Sequence, residues 1–272
     1  MAYETGTASD HRDLQAKIET FASANGWTVE RSTYGASIDG ELILSSTGSS
    51  GSDEIVAGFR STTDAGDPYF NLGLRGFRGF DGADWANLPE PSPEVYLVLD
   101  DATFTYWLMV NDDRILLQVK VGTTFETAYL GFIRSYSISD EHAFPMLVGG
   151  AADFESMSLS GTQNMQCWWN IEGEDVSFIY TPDGTWREVQ ESIPWRSMSN
   201  GVRNGVGVEV LFPGMPYDSF PDGVFGEYDG VYWISGFGVN AEDIVTIGGQ
   251  DYLAVQDVNR TGRNDFAALE LA

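Results

Sequence analysis

The chain has 272 residues, 42% of them hydrophobic and 13% aromatic, and sets 14 basic against 41 acidic side chains for a net charge of −27. A chain of this length buries about 70–75% of its unfolded surface, so the acidity belongs to a folded protein and not to the apolar-poor composition of disorder. A field of that sign repels phosphate backbones and anionic headgroups, which excludes nucleic acid and membrane surfaces as expected partners.

Only Lys17 and Lys120 among the basic residues are lysines. That balance fits either a protein kept soluble in molar salt or an ordinary acidic surface. The single cysteine, Cys167, leaves no intramolecular disulfide and no cysteine-based zinc site. The opening residues lack a basic and apolar leader, and no apolar run reaches the ~18 residues of a membrane-spanning helix.

In chain order, Leu14, Ile18, Phe21 and Ala22 recur at helical spacing. The spacing predicts one helix, with either Ser9 or Asp10 as its N-cap and Gly26 at its end. From residue 38 the text becomes short β-branched, aliphatic and aromatic runs broken by Gly, Asp, Asn or Pro. Strands are predicted over Glu41–Leu44, Glu54–Arg60, Tyr69–Phe77, Val95–Leu99, Ala102–Val110, Arg114–Val121 and Thr124–Ile133. Phe104, Tyr106, Leu108 and Val110 alternate with Thr103, Thr105, Trp107 and Met109, so this strand has large side chains on both faces and belongs inside a sandwich. Asn111-Asp112-Asp113 supplies the next turn.

Ser45–Ser52 reads as a hairpin connection and Leu88–Pro93 as a stiff Pro-rich linker. Further strands are predicted over Val176–Tyr180, Thr185–Val189, Val206–Leu211, Val231–Phe237, Ile244–Ile247, Tyr252–Val255 and Phe266–Leu271, with Gly248-Gly249 turning a tight hairpin. Arg196–Gly207 and Pro213–Gly223 read as irregular surface. The expected fold is mainly β: an antiparallel β-sandwich or jelly-roll-like body with one N-terminal α-helix and a small C-terminal β unit. The expected division is 1–35 for the helix and entry segment, 36–220 for the main body with a subdivision near 150, and 221–272 for the C-terminal unit.

Chemistry-bearing residues are sparse. His11 and His142 are the only histidines, one at the helix start and one in a turn, which is thin material for general-base, metal or nucleophilic arrangements. Among 41 carboxylates, chance pairs of glycosidase type are unavoidable. The acidic turns Asp64–Asp67 and Asp218–Asp222 do not match the spaced oxygen ligands of a calcium loop. The glycines at 73, 76, 79 and 82 lack a P-loop lysine and a following helix, so they read as close backbone approach at an edge strand or loop. No enzymatic activity, cofactor or metal is therefore expected.

Aromatic side chains are the remaining asset. In the adjacent pairs Trp168-Trp169 and Tyr232-Trp233, neighbouring residues of a strand face opposite ways, so at least one ring of each pair is a candidate to leave the core and meet another subunit. Exposed rings along a groove would instead suit a surface glycan.

Several segments together resemble a family of virion structural proteins of tailed phages and prophages. They are Tyr3–Ala8 with the helix to Gly26-Trp27-Thr28, then Glu41–Leu44, Ser52–Ile55, Ala128–Phe132 and Phe144–Gly150. Gly230–Gly238, Gly248–Tyr252 and Arg260–Ala268 complete the series. The resemblance implies a non-enzymatic particle component of the tail tip or baseplate, located in the virion and partnered by other virion proteins and copies of itself. The alternatives kept are a capsid surface or turret protein and a carbohydrate-binding host-recognition module. The higher acidity here points to a tailed virus of a halophilic host. Arg260 and Arg263, near Asp265, are expected to make charge-assisted contacts, either locking the terminal hairpin or reaching an acidic neighbour.

Overall fold

A computed structural model describes residues 1–64, 69–155, 166–168, 176–189, 191–193, 211–218, 223–257 and 266–271. Its centre is a seven-stranded antiparallel sheet in the order β1-β7-β8-β9-β11-β12-β13. These strands are β1 (Ala2–Ala8), β7 (Phe104–Val110), β8 (Arg114–Val121), β9 (Thr124–Phe132), β11 (Met146–Gly149), β12 (Ser177–Tyr180) and β13 (Trp186–Glu188).

A five-stranded N-terminal sheet covers one face, in chain order β2 (Thr28–Ser32), β3 (Glu41–Ser46), β4 (Ile55–Asp64), β5 (Tyr69–Phe77) and β6 (Val95–Leu99). The other face meets a second five-stranded sheet, ordered β15-β19-β22-β21-β20. Its strands are β15 (Phe212–Pro213), β19 (Val231–Ile234), β20 (Ile244–Ile247), β21 (Gln250–Gln256) and β22 (Phe266–Glu270). Two small sheets complete the set, β10 (Arg134–Ser135) with β18 (Gly226–Glu227), and β14 (Glu191–Ile193) with β16 (Met215–Asp218) and β17 (Gly223–Val224).

The stacking follows from side-chain parity. Tyr106, Leu108, Val110, Ile115, Leu117, Val119, Ala128 and Leu130 point into a core shared with Leu42, Leu44, Ala57, Phe59, Leu72, Leu74 and Leu97 of the N-terminal sheet. The alternate residues Trp107, Met109, Leu116, Phe125 and Tyr129 enter a second core with Val231, Trp233, Leu253, Val255, Ala267 and Leu269. The middle strands are therefore buried on both faces, as the doubled apolar pattern of β7 requires.

The helix α1 (His11–Ala24) turns Leu14, Ile18 and Ala22 into the first core. Asp10 is its N-cap, accepting from the Asp13 amide at 2.8 Å, while the Asp13 carboxylate accepts from Ser9 N at 2.9 Å. Gly26 then leaves the helix at φ +98°, where its missing side chain makes room for Asp112.

Three features differ from the sequence reading and one agrees with it. The entry segment is not separate, because β1 pairs with β7 from Ala2↔Val110 to Ala8↔Phe104. The Pro-rich stretch is a connection, as read: it lies between β5 and its direct neighbour β6, in a segment that lays Trp85 and Leu88 over Ile43, Val56 and Phe77 on the outer face of the N-terminal sheet. The central sheet runs without a break across residue 150, since β11 bridges β9 and β12. Gly73 and Gly76 lie in β5, an interior strand and not an edge, and serve close approach to Glu94 and to Met146 and Val148. Most of the predicted strand over Val206–Leu211, the segment Arg196–Gly207 and most of the two acidic turns fall outside the described residues.

Candidate functional site

Three polar centres stand out against the apolar stack. The first joins the β7–β8 turn to the segment before β19. Asn111 Oδ1 accepts from the amides of Asp113 and Arg114, which fixes the turn and drives the Arg114 side chain inward until it is fully buried. There its Nε donates to Asp229 Oδ2 at 3.1 Å, beside Asn111 Nδ2 at 2.7 Å, while Arg134 reaches Asp229 Oδ1 at 2.5 Å. Burial alone would raise the Asp229 pKa, but Arg114, Asn111 and Arg134 outweigh it and hold the carboxyl below the usual range. Gly230, at φ +75°, leaves the space that the Arg114 guanidinium fills.

A polar pocket of about 350 Å³ opens beside this centre, lined by Ser49, Asp53, Asn111, Asp113, Arg134 and Asp229 among others. The Ser/Gly connection closes one side of it, with Ser46 Oγ donating to Asp112 O at 2.5 Å and Ser49 N to Asp113 Oδ1 at 2.7 Å.

The second centre is His11. Its ring is buried, with Nε2 3.2 Å from Asp39 Oδ1 and 3.0 Å from Thr63 Oγ1, and Arg12 Nε donates to the same Asp39 oxygen at 2.8 Å. Burial is the main reason the imidazole pKa falls, so at neutral pH this is a hydrogen-bonded neutral ring and not an ion pair. His142 Nε2 meets Tyr180 O at 2.7 Å. Both rings hold elements together.

The third centre is Glu126 on β9, with no exposed surface. One carboxyl oxygen accepts from Val98 N at 2.6 Å on the β6 edge, and the other has no hydrogen-bond partner. Burial pushes its pKa well up, so the group favours its neutral form. On the opposite face of the sheet, Thr127 Oγ1 is shared between Gln118 and Gln166, and Gln118 Nε2 donates to the Glu126 backbone carbonyl at 2.8 Å.

Of the interface candidates, two are corrected by burial. Trp168 and Trp233 are 1% and 0% exposed, so they fill the second core of this chain and are closed to another subunit. Tyr232 follows the strand alternation to the opposite face, where it is half-buried, meets Tyr252 edge-on at 5.6 Å and donates to Glu270 at 3.3 Å. Trp169, Arg260 and Arg263 lie outside the described residues. Sequence reasoning missed the Arg114–Asp229 centre and Glu126. For Glu126 a signal exists, since it shares strand parity with Ala128 and Leu130; for Arg114 the only clue is its place after an Asn-Asp-Asp turn.

Among the described residues no group of three His, Cys, Asp or Glu side chains is arranged to hold a metal ion, and no helix is long and apolar enough to cross a membrane. No model of a known protein family matches the sequence, and no curated protein matches it.

Proposed function

We propose that this chain is a non-enzymatic structural subunit of a tailed virus particle, placed in the tail tip or baseplate and working through repeated contacts between subunits. The reading starts from the ordered resemblance along the chain, and the observation that carries it is how the side chains are used. Both histidines are engaged in tying the helix and a loop to neighbouring strands, and the buried Arg114 and the largest aromatic rings in joining the central sheet to the one behind it. A scaffold of this kind keeps its outer surfaces in fixed relation, which symmetric packing of copies needs.

The test is an electron cryomicroscopy map of intact particles containing this chain, with the fold docked into the density. Copies around the distal tail axis support the proposal. Copies on capsomers would replace it with a capsid surface role, and absence from the particle would overturn it.

A further inference from the structure

The sheet edges of this protein are treated unequally. Edge strands offer unpaired amides and carbonyls to any passing strand, and proteins blunt them with bulges, charges, prolines, short lengths or covering groups. Here β2 carries a bulge between Val29 and Arg31, and β13 is three residues that include Arg187 and Glu188. β15 is two residues, one of them Pro213, and β20 is four residues directly after Glu242-Asp243. The β6 edge is covered twice: Tyr96 N donates to Ala152 O at 2.8 Å, and Val98 N donates to Glu126.

Apart from a single charge, β1 has none of these devices. It is seven residues long, Ala-Tyr-Glu-Thr-Gly-Thr-Ala, with no proline, no basic residue and an unbroken register against β7. Among the described residues, no backbone hydrogen bond outside that ladder reaches it. Its one charge, Glu4, is turned to the Tyr106 hydroxyl at 2.5 Å, while Tyr3, Thr5 and Thr7 are exposed.

We propose that β1 pairs antiparallel with β1 of a second copy of this chain, joining two seven-stranded sheets across a two-fold axis. The sequence of the strand argues for a copy of itself. A two-fold axis at Thr5 sets Glu4 opposite Gly6 of the other copy, so the two carboxylates never face each other, and it sets Tyr3 opposite Thr7, an aromatic with a β-branched residue. Pairing one strand buries less than the ~1,600 Å² of a standard interface. The dimer is therefore weak and concentration-dependent. Two chains of net charge −27 also repel until salt screens them. This pairing does not depend on where the chain sits in a particle.

Two measurements on the purified chain test it together. Sedimentation velocity across a protein concentration series in molar salt should show a reversible dimer. Thr5→Cys should then form a disulfide-linked dimer, because residues directly opposite in antiparallel strands bring Cα atoms to about 4.5–5.5 Å, within disulfide reach. The native Cys167 is buried and does not compete. Ser50→Cys, on the exposed Ser/Gly connection, is the control and should cross-link about tenfold slower or less, lacking the effective concentration of a paired site. Thr5→Lys should return the dimer to monomer with an unchanged circular dichroism spectrum. A chain that stays monomeric at sub-millimolar concentration in molar salt, or a dimer that cross-links equally at positions 5 and 50, would overturn the proposal and leave the particle assignment to its own test.

Discussion

Glu126 shows how far one residue can be read. Its acidity is one of 41 carboxylates and says nothing by itself, but its parity with Ala128 and Leu130 on β9 places it on the inward face. Position along the strand is legible; the donating amide of Val98 is not, because it belongs to another sheet. The consequence for stability has a definite sign. The folded pKa is raised above the unfolded value, so the folded state binds the extra proton, and stability falls as pH rises from the unfolded carboxyl pKa toward the folded one. Glu126→Gln imitates the neutral acid and keeps an acceptor for Val98. It should melt higher than the wild type at pH 8, with the gap closing toward pH 4, as followed by thermal circular dichroism. A variant less stable at pH 8 would show that the carboxylate is held charged.

At the scale of elements, the middle strands were the most legible part of the chain. β5, β6 and β8 match the predicted boundaries, since apolar runs bounded by turn residues carry both the length and the burial signal. β1, β2 and β11 were not predicted. β1 is small and polar with a central Gly6, β2 has an irregular register, and β11 is four residues wedged behind Pro145; their pairing comes from neighbours far along the chain. The junction between the β7–β8 turn and β19 was invisible for a related reason, because an arginine opening a strand reads as solvated. Truncating it tests its role. Arg114→Met leaves Asp229 largely buried, with exposed Arg134 as its remaining cation, and removing one partner of a buried pair costs about 3–5 kcal/mol. Urea unfolding should show that loss, with Asp229→Asn added to Arg114→Met recovering part of it. Asp229 also contributes in the opposite pH sense to Glu126: its lowered pKa gives stability that is present above the unfolded carboxyl pKa and lost as pH falls through the folded one.

For the whole molecule, charge and architecture act against each other. Three stacked sheets bury enough apolar surface to fold without disulfides, while a net charge of −27 pushes the compact state apart. Of the ten described lysine and arginine side chains, all but Arg78 already sit within 4.0 Å of a carboxylate, so little positive charge is left to offset the rest. Screening should therefore stabilise the fold. Far-UV circular dichroism melts at low and molar sodium chloride should show a higher midpoint in molar salt, and equal midpoints would remove the case for a brine-adapted protein. The fold class was legible at this scale from alternation and turn spacing. The three-layer order was not, since no local pattern says which two sheets share the middle one.

The pairing of β1 with β7 also sets a timetable during synthesis. Ala2 leaves the ribosome about a hundred residues before its partner Val110, which at 5–20 residues per second is a wait of roughly 5–20 s. Through that interval the strand lacks β7, and on crowded polysomes the nearest chain at the same stage of growth carries the same bare edge.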